Sequence, residues 1–213
     1  MIPDLVIFDC DGVIVDSEGP TSDVIASSLT RYGWPITGAE SHEIFVGGTL
    51  QQVMAKGRAK GADLPDNWIT EVYDEMYALL EQGVPLSAGV VDLFDALEAQ
   101  GTRIAIASNG AMTKMRTTLG PYGLFDRFDG RIYSGHVDEP KPGGGMLVKA
   151  MAQANAAPER TFMIDDSPAG AGAAQSASTR FYGYVEHGNR KKMEPLGVDL
   201  VGSMAELSKH LIK

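Results

Sequence analysis

Short apolar runs that stop abruptly in polar residues recur along the chain. Residues 4–8 (Asp-Leu-Val-Ile-Phe) break off in Asp9-Cys10-Asp11-Gly12. Residues 103–107 end in Ser108-Asn109-Gly110, and residues 161–164 end in Asp165-Asp166-Ser167. A continuous apolar run of this length, bounded by polar residues, reads as a strand buried on both faces, as in a parallel sheet. Residues 131–134, 180–185 and 199–201 are further strand candidates. Between the runs the apolar period becomes helical. Val90, Phe94 and Leu97 share one face until Gly101 stops the helix. Met112, Met115 and Leu119 form a second stripe, closed by Gly120-Pro121, and residues 146–155 and 168–177 give two more helices. Ser203-Met204-Ala205-Glu206 has the spacing of a capping box and starts a last one. Strand then helix, repeated, predicts an α/β fold: a Rossmann-like parallel sheet with helices on both faces.

Residues 19–83 break this alternation. Val24, Ile25, Leu29 and Tyr32 form one helical stripe, and Trp68, Ile69, Val72, Tyr73, Met76, Tyr77 and Leu80 a stronger one. Residues 41–46 and 49–60 between them also read as helices. We therefore expect a catalytic core of residues 1–16 and 85–213, with an α-helical cap, residues 17–84, inserted after the first strand. The hinges would lie near Asp16-Ser17-Glu18 and within residues 83–89.

Composition narrows the class. Of 213 residues 44% are apolar, enough to bury a core, so disorder of the whole chain is excluded. No apolar run is long enough to span a bilayer. Asp4 and Asp9 interrupt the N-terminal apolar stretch, so it does not read as a signal peptide. One cysteine, Cys10, excludes an internal disulfide framework and a cysteine-based zinc site. We expect a cytoplasmic protein, a monomer, with a dimer as the alternative. The formal charge of −10 repels nucleic acid and anionic membranes, so neither is expected as a partner. A small anionic substrate remains compatible, provided a metal, a helix N-terminus or a placed lysine receives it.

In open parallel sheets, ligands bind beyond the carboxyl ends of the strands. Here those ends carry Asp9 and Asp11, Ser108 and Asn109, and Asp165 and Asp166; Pro140-Lys141-Pro142 precedes another helix. Four carboxylates meeting at one spot repel, and a divalent cation offsets this most simply. All-oxygen ligation points to Mg²⁺, which favours phosphate oxygens and so implies a phosphorylated substrate. One aspartate can attack phosphorus, and the other can protonate the leaving oxygen and then activate water. Gly12 permits the tight bend that lets both face one cleft. Ser108 and the N–H groups after it can hold phosphate oxygens, and Lys141 supplies fixed positive charge.

Taken together, these residues resemble the haloacid dehalogenase-like hydrolase superfamily. The stretch from Asp9 to Glu18 is similar to its first motif, Ser108-Asn109 to its second and Lys141-Pro142 to its third. Asp165-Asp166-Ser167, followed by Gly170 and Ala173-Ala174, is similar to its fourth. The insertion resembles the helical cap of subfamily I. The resemblance implies Asp9 as nucleophile, Asp11 as acid/base, and Ser108, Asn109 and Lys141 as phosphate-binding residues. It also implies Mg²⁺ held by the Asp9 side chain, the Asp11 carbonyl and Asp166, with Asp165 outside the direct ligands. Ser108-Asn109-Gly110 with Lys114-Met115, and Gly123-Leu124-Phe125, resemble the bacterial sugar-phosphate phosphatases, 6-phosphogluconate phosphatase-like members among them. Gly143-Gly144-Gly145 stands where the family usually carries a Pro-Asp pair.

The expected activity is a Mg²⁺-dependent phosphatase for a small phosphorylated metabolite, working through an aspartyl-phosphate. The alternatives are a β-phosphoglucomutase-like isomerase, made less favoured because no histidine follows Ser17-Glu18 where such members typically carry one, and, less favoured still, a non-catalytic phospho-accepting signalling module. Cys10, between two carboxylates, reads as core rather than nucleophile. His42, His136, His187 and His210 read as solvated. Trp34 and Trp68 read as core of the cap. Residues 47–49 with Gln51 and Gln52 are candidates for contact with the leaving group.

Overall fold

The computed structural model describes residues 2–45, 49–186 and 189–213. Six strands form a single sheet: β1 (Leu5–Phe8), β2 (Arg103–Ser108), β3 (Ile132–Ser134), β4 (Thr161–Asp165), β5 (Arg180–Tyr184) and β6 (Asp199–Val201). Eleven α-helices are described: α1 (Glu18–Arg31), α2 (Gly38–Phe45), α3 (Leu50–Ala59), α4 (Trp68–Glu81), α5 (Val90–Ala99), α6 (Met112–Leu119), α7 (Leu124–Arg127), α8 (Gly145–Ala154), α9 (Pro168–Ser176), α10 (Arg190–Met193) and α11 (Met204–Leu211). The sequence pattern marks all of these except the one-turn helices α7 and α10, which are too short to show a period.

All strand pairs are parallel, in the order β3-β2-β1-β4-β5-β6. The chain builds outward from β1 in one direction, then returns to the other side of β1 with β4. In such sheets ligands usually bind at this reversal, beyond the carboxyl ends of the two strands, here β1 and β4. β1 is buried at every position, which is why its run is apolar without alternation. On one face Leu5, Ile7, Ala105 and Met163 pack against Met146, Leu147 and Ala150 of α8 and Ala173 and Ala174 of α9. On the other, Phe94 of α5 meets Phe8 and Phe128 edge-on, with ring centroids 5.0 and 5.2 Å away.

The chain divides into two compact units, Met1–Val15 with Leu86–Lys213, and Asp16–Pro85. The second unit is helical, formed by α1 to α4. Leu29, Val53, Leu64 and Val72 close around Trp68, whose indole N–H donates to Ser28 Oγ at 2.9 Å. Trp34 is half-buried and meets Phe45 edge-on. Thr49 and Gln52 form a reciprocal capping box on α3, so the Gln52 side chain is engaged in capping the N-terminus of that helix. The expected contact segment 47–49 lies outside the described residues, apart from Thr49, as does Val46 at the end of the expected 41–46 helix.

Candidate active site

Asp9 follows β1 directly. Its backbone N–H continues the ladder to the Ile164 carbonyl, so the side chain emerges where the sheet ends. The carboxylate is buried. Asp9 Oδ1 accepts from Cys10 N–H at 2.8 Å and lies 3.0 Å from Lys141 Nζ. Burial pushes the Asp9 carboxyl up from 3.8 to about 7; Lys141 pulls it down, and Asp165 and Asp11 push it further up.

The loop after Asp9 turns at once. Ile14 and Val15 N–H groups donate back to the Cys10 carbonyl, and Gly12 sits at φ +75°. A Cβ on Gly12 would lie 2.3 Å from Asp166 Oδ2. Glycine is therefore needed twice here, for its left-handed backbone and for the approach of a carboxylate. Asp165 at the end of β4 is fully buried: Oδ2 accepts from Lys141 Nζ at 2.6 Å, and Oδ1 accepts from Ser167 N–H and Oγ at 2.9 and 2.6 Å. A Cβ on Gly170, in the first turn of α9, would lie 2.0 Å from Asp165 Cγ, so only a glycine lets the helix start this close.

Lys141 is buried between Asp9 and Asp165. Burial alone would lower its ammonium, but the two carboxylates outweigh that and hold it above the ordinary lysine value. Its backbone is fixed by Asn109. The Asn109 Oδ1 accepts from Lys141 N–H at 2.8 Å, and Nδ2 donates to the Lys141 carbonyl at 3.0 Å. The Asn109 side chain thus braces the Lys141 backbone. The triple glycine has a local reason as well. Gly145 N–H donates to Glu139 Oε2 at 2.9 Å, and Cβ atoms at Gly143 or Gly145 would strike the Glu139 side chain. Glu139 caps α8 in place of the missing acidic residue.

Ser108 ends β2, buried, with its Oγ accepting from Gly110 N–H at 3.1 Å. Asp11 pairs with a different lysine from Asp9. Its Oδ1 lies 2.8 Å from the ammonium of Lys114, in the first turn of α6. Lys114 was not legible as a site residue beyond its place in the resemblance. Asn189 is a second addition that no sequence pattern signals. It is buried, and its Nδ2 donates to the Asp166 and Tyr184 carbonyls at 2.5 and 3.0 Å.

Among the described residues, Asp9, Asp165 and Asp166 each offer a carboxylate oxygen, and these lie within 4.8 Å of one another. A set of hard oxygen donors fits a hard cation of the Mg²⁺, Mn²⁺ or Ca²⁺ kind. Both Asp165 oxygens already accept hydrogen bonds. With every group ionised, Asp9, Asp11, Asp165 and Asp166 set against Lys141 and Lys114 would leave two negative charges, which one divalent cation would neutralise.

Three comparisons with known proteins bear on this arrangement. The model of the haloacid dehalogenase-like hydrolase family matches residues 6–184, from β1 to the end of β5. The chain belongs to that family. Among curated proteins, 6-phosphogluconate phosphatase of Escherichia coli K12 is 26% identical over 194 residues, covering 89% of this chain and 86% of that one. Phosphoglycolate phosphatase of Nitrosococcus oceani is 26% identical over 202 residues, covering 87% of each. Among solved structures, a HAD family hydrolase of Deinococcus radiodurans R1, with bound phosphate and sodium, superposes with a TM-score of 0.86 at 28% identity, covering 98% of this chain and 94% of that one.

Cys10 is buried, with Sγ 4.0 Å from Thr118 Oγ1, and burial first, then Asp11 and Asp9, raise its thiol well above the ordinary value. It is core. His136 and His210 are exposed, and His187 lies outside the described residues. His42 departs from expectation: it is half-buried, with Nδ1 3.4 Å from Ser22 Oγ and Nε2 3.9 Å from Glu18. No described helix is long and apolar enough to cross a membrane.

Proposed function

We propose that the chain is a Mg²⁺-dependent phosphatase that hydrolyses a small phosphorylated metabolite, a sugar phosphate or related phosphomonoester, through an aspartyl-phosphate on Asp9. The observation that carries this reading is the separation of roles between two neighbouring aspartates. Asp9 is buried beside Lys141 and the carboxylate cluster, while Asp11, two residues on, is held apart on Lys114. The phosphatases named among the relatives support the reaction class.

In the first step an Asp9 carboxylate oxygen forms a bond to phosphorus and the P–O bond of the ester breaks. Asp11, which must enter this step in its protonated form, gives that proton to the departing oxygen, so an alcohol leaves. In the second step water attacks phosphorus, its proton goes to the Asp11 carboxylate, and the Asp9–phosphorus bond breaks to release inorganic phosphate. Lys141, locked by Asn109, presents its charge to the transferring group throughout. The Ser108 hydroxyl, which accepts from Gly110, has its proton left to donate to a phosphate oxygen. Mg²⁺ held by Asp9, Asp166 and the Asp11 carbonyl would neutralise charge on the phosphoryl oxygens. The helical unit, residues 16–85, serves in this reading as the cap that selects the leaving group.

A panel of phosphorylated metabolites tests the proposal, with released phosphate as the readout and Asp9→Asn as blank. The expected result is release from at least one sugar phosphate or related monoester, abolished by Asp9→Asn and by EDTA, and restored by Mg²⁺. Turnover that survives in Asp9→Asn would contradict the assignment. A phosphate moved within the substrate rather than released would mark an isomerase.

A further inference from the structure

Lys114 stands where helix physics disfavours it. It is the third residue of α6, and the N-terminal end of a helix carries positive partial charge that repels a cation. The first turn of α6 has no acidic residue to offset this, and Ala111 at the N-cap gives no side-chain hydrogen bond. Only about a quarter of the Lys114 side chain is exposed (27%), as is a similar share of Asp11 (26%). A lysine in such a place contributes little to the helix itself. What it does contribute is a fixed partner for Asp11.

The surroundings of the pair are equally tight. A Cβ on Gly110 would lie 3.3 Å from Ser108 Oγ, 3.6 Å from Asp11 Oδ2 and 3.9 Å from Lys114 Cδ. Gly110 thus packs beneath the pair, and Lys114 Nζ holds the other Asp11 oxygen, Oδ1, at 2.8 Å. The two buried or half-buried lysines divide the carboxylates between them. Lys141 takes Asp9 and Asp165, and Lys114 takes Asp11. The carboxylate group that could hold a cation comprises Asp9, Asp165 and Asp166, without the Asp11 side chain.

We propose that Lys114 is a positioning residue for Asp11, keeping its carboxylate out of the cation cluster and aimed at the attacking water in the dephosphorylation step. The proposal rests on the phosphatase reading above. Without Lys114, the Asp11 side chain gains rotamer freedom, and the proton acceptor for water is correctly placed for less of the time. The phosphoryl group then persists on Asp9.

p-Nitrophenyl phosphate isolates this step. Its leaving group departs as a stable anion and needs no proton, so phosphorylation of Asp9 proceeds even when Asp11 is poorly placed. Lys114→Met keeps the apolar stem and removes the charge; Lys114→Arg keeps the charge. Rapid-mixing kinetics should show a stoichiometric burst of nitrophenolate in Lys114→Met, then a slow steady state. Its kcat should fall about tenfold to a hundredfold, within the span of a general acid–base contribution of about 10²–10⁴, with KM little changed. Denaturing quench should find phosphoryl-enzyme in Lys114→Met, and Lys114→Arg should suppress it. An unchanged melting temperature in both variants shows that the fold is retained, and Lys114→Gln replaces Lys114→Met if that one unfolds. Asp11→Asn is the reference. If Asp11→Asn traps phosphoryl-enzyme while the Lys114 variants turn over without a burst, or lose only KM, the positioning role is overturned and the phosphatase reading stands. If Asp11→Asn itself neither bursts nor slows, the phosphatase reading fails first.

Discussion

Asp9 combines burial with a required charge. Its carboxyl is raised from 3.8 to about 7 because desolvation outweighs Lys141. The folded protein therefore binds the Asp9 proton more tightly than the unfolded chain does. The resulting stability is present in full below the unfolded value of 3.8, declines as pH rises, and is lost through about 7. Asp9→Asn has no such proton. In EDTA, the melting temperature of the wild-type protein should fall relative to Asp9→Asn between about pH 4 and 7 and run parallel to it above. A difference that does not change with pH would show that burial of this carboxyl does not govern its ionisation. At this scale the sequence was most informative where the chemistry is acidic: the pairs Asp9/Asp11 and Asp165/Asp166 stand out because apolar runs end in them. Residues that act by holding others were hidden. Asn109 bonds the backbone of Lys141, 32 residues away, and Asn189 bonds the Asp166 carbonyl, 23 residues away. Neither spacing leaves a local pattern.

Among the elements, strands were legible because parallel burial makes them uniformly apolar, and their polar ends marked the site. Observed strand bounds run one residue beyond expectation at Ser108 and Asp165, since a polar side chain can still extend a backbone ladder. The last helix shows a subtler departure. Ser203 Oγ does accept from Glu206 N–H, but the Glu206 carboxylate accepts from Gly202 N–H rather than from Ser203. Spacing specifies the capping residues without specifying which orphan donor each will find. In the helical unit, the apolar stripe of α4 centres on Trp68, whose only polar atom is satisfied by Ser28. Trp68→Phe removes that bond, leaves Ser28 Oγ buried without its donor and opens space in the core. We expect a loss of about 1–3 kcal/mol in denaturant unfolding, the cost of orphaning a buried polar group. A loss under about 0.5 kcal/mol, as for an exposed position, would contradict the packing described.

For the whole molecule, net charge and site charge pull in opposite directions. A chain of −10 gathers four carboxylates at one sheet end and offsets them locally with two lysines. The overall acidity disfavours polyanionic partners, whereas the local arrangement, in the function proposed above, suits one small anion together with a cation. The topology makes this possible: β4 returns beside β1, so residues 9 and 165, far apart in sequence, end side by side. That neighbourhood was legible as an expectation of parallel α/β winding; the identity of the leaving group was not, because it depends on the shape of a pocket rather than on any pattern along the chain. The most direct test of the account is a peptide mass map of Asp11→Asn, quenched in denaturant after incubation with Mg²⁺ and a phosphomonoester that the wild-type protein hydrolyses. The account predicts one phosphoryl group on the peptide containing Asp9, absent when EDTA is included. A phosphoryl group on any other residue, or none while substrate is still consumed, would contradict it.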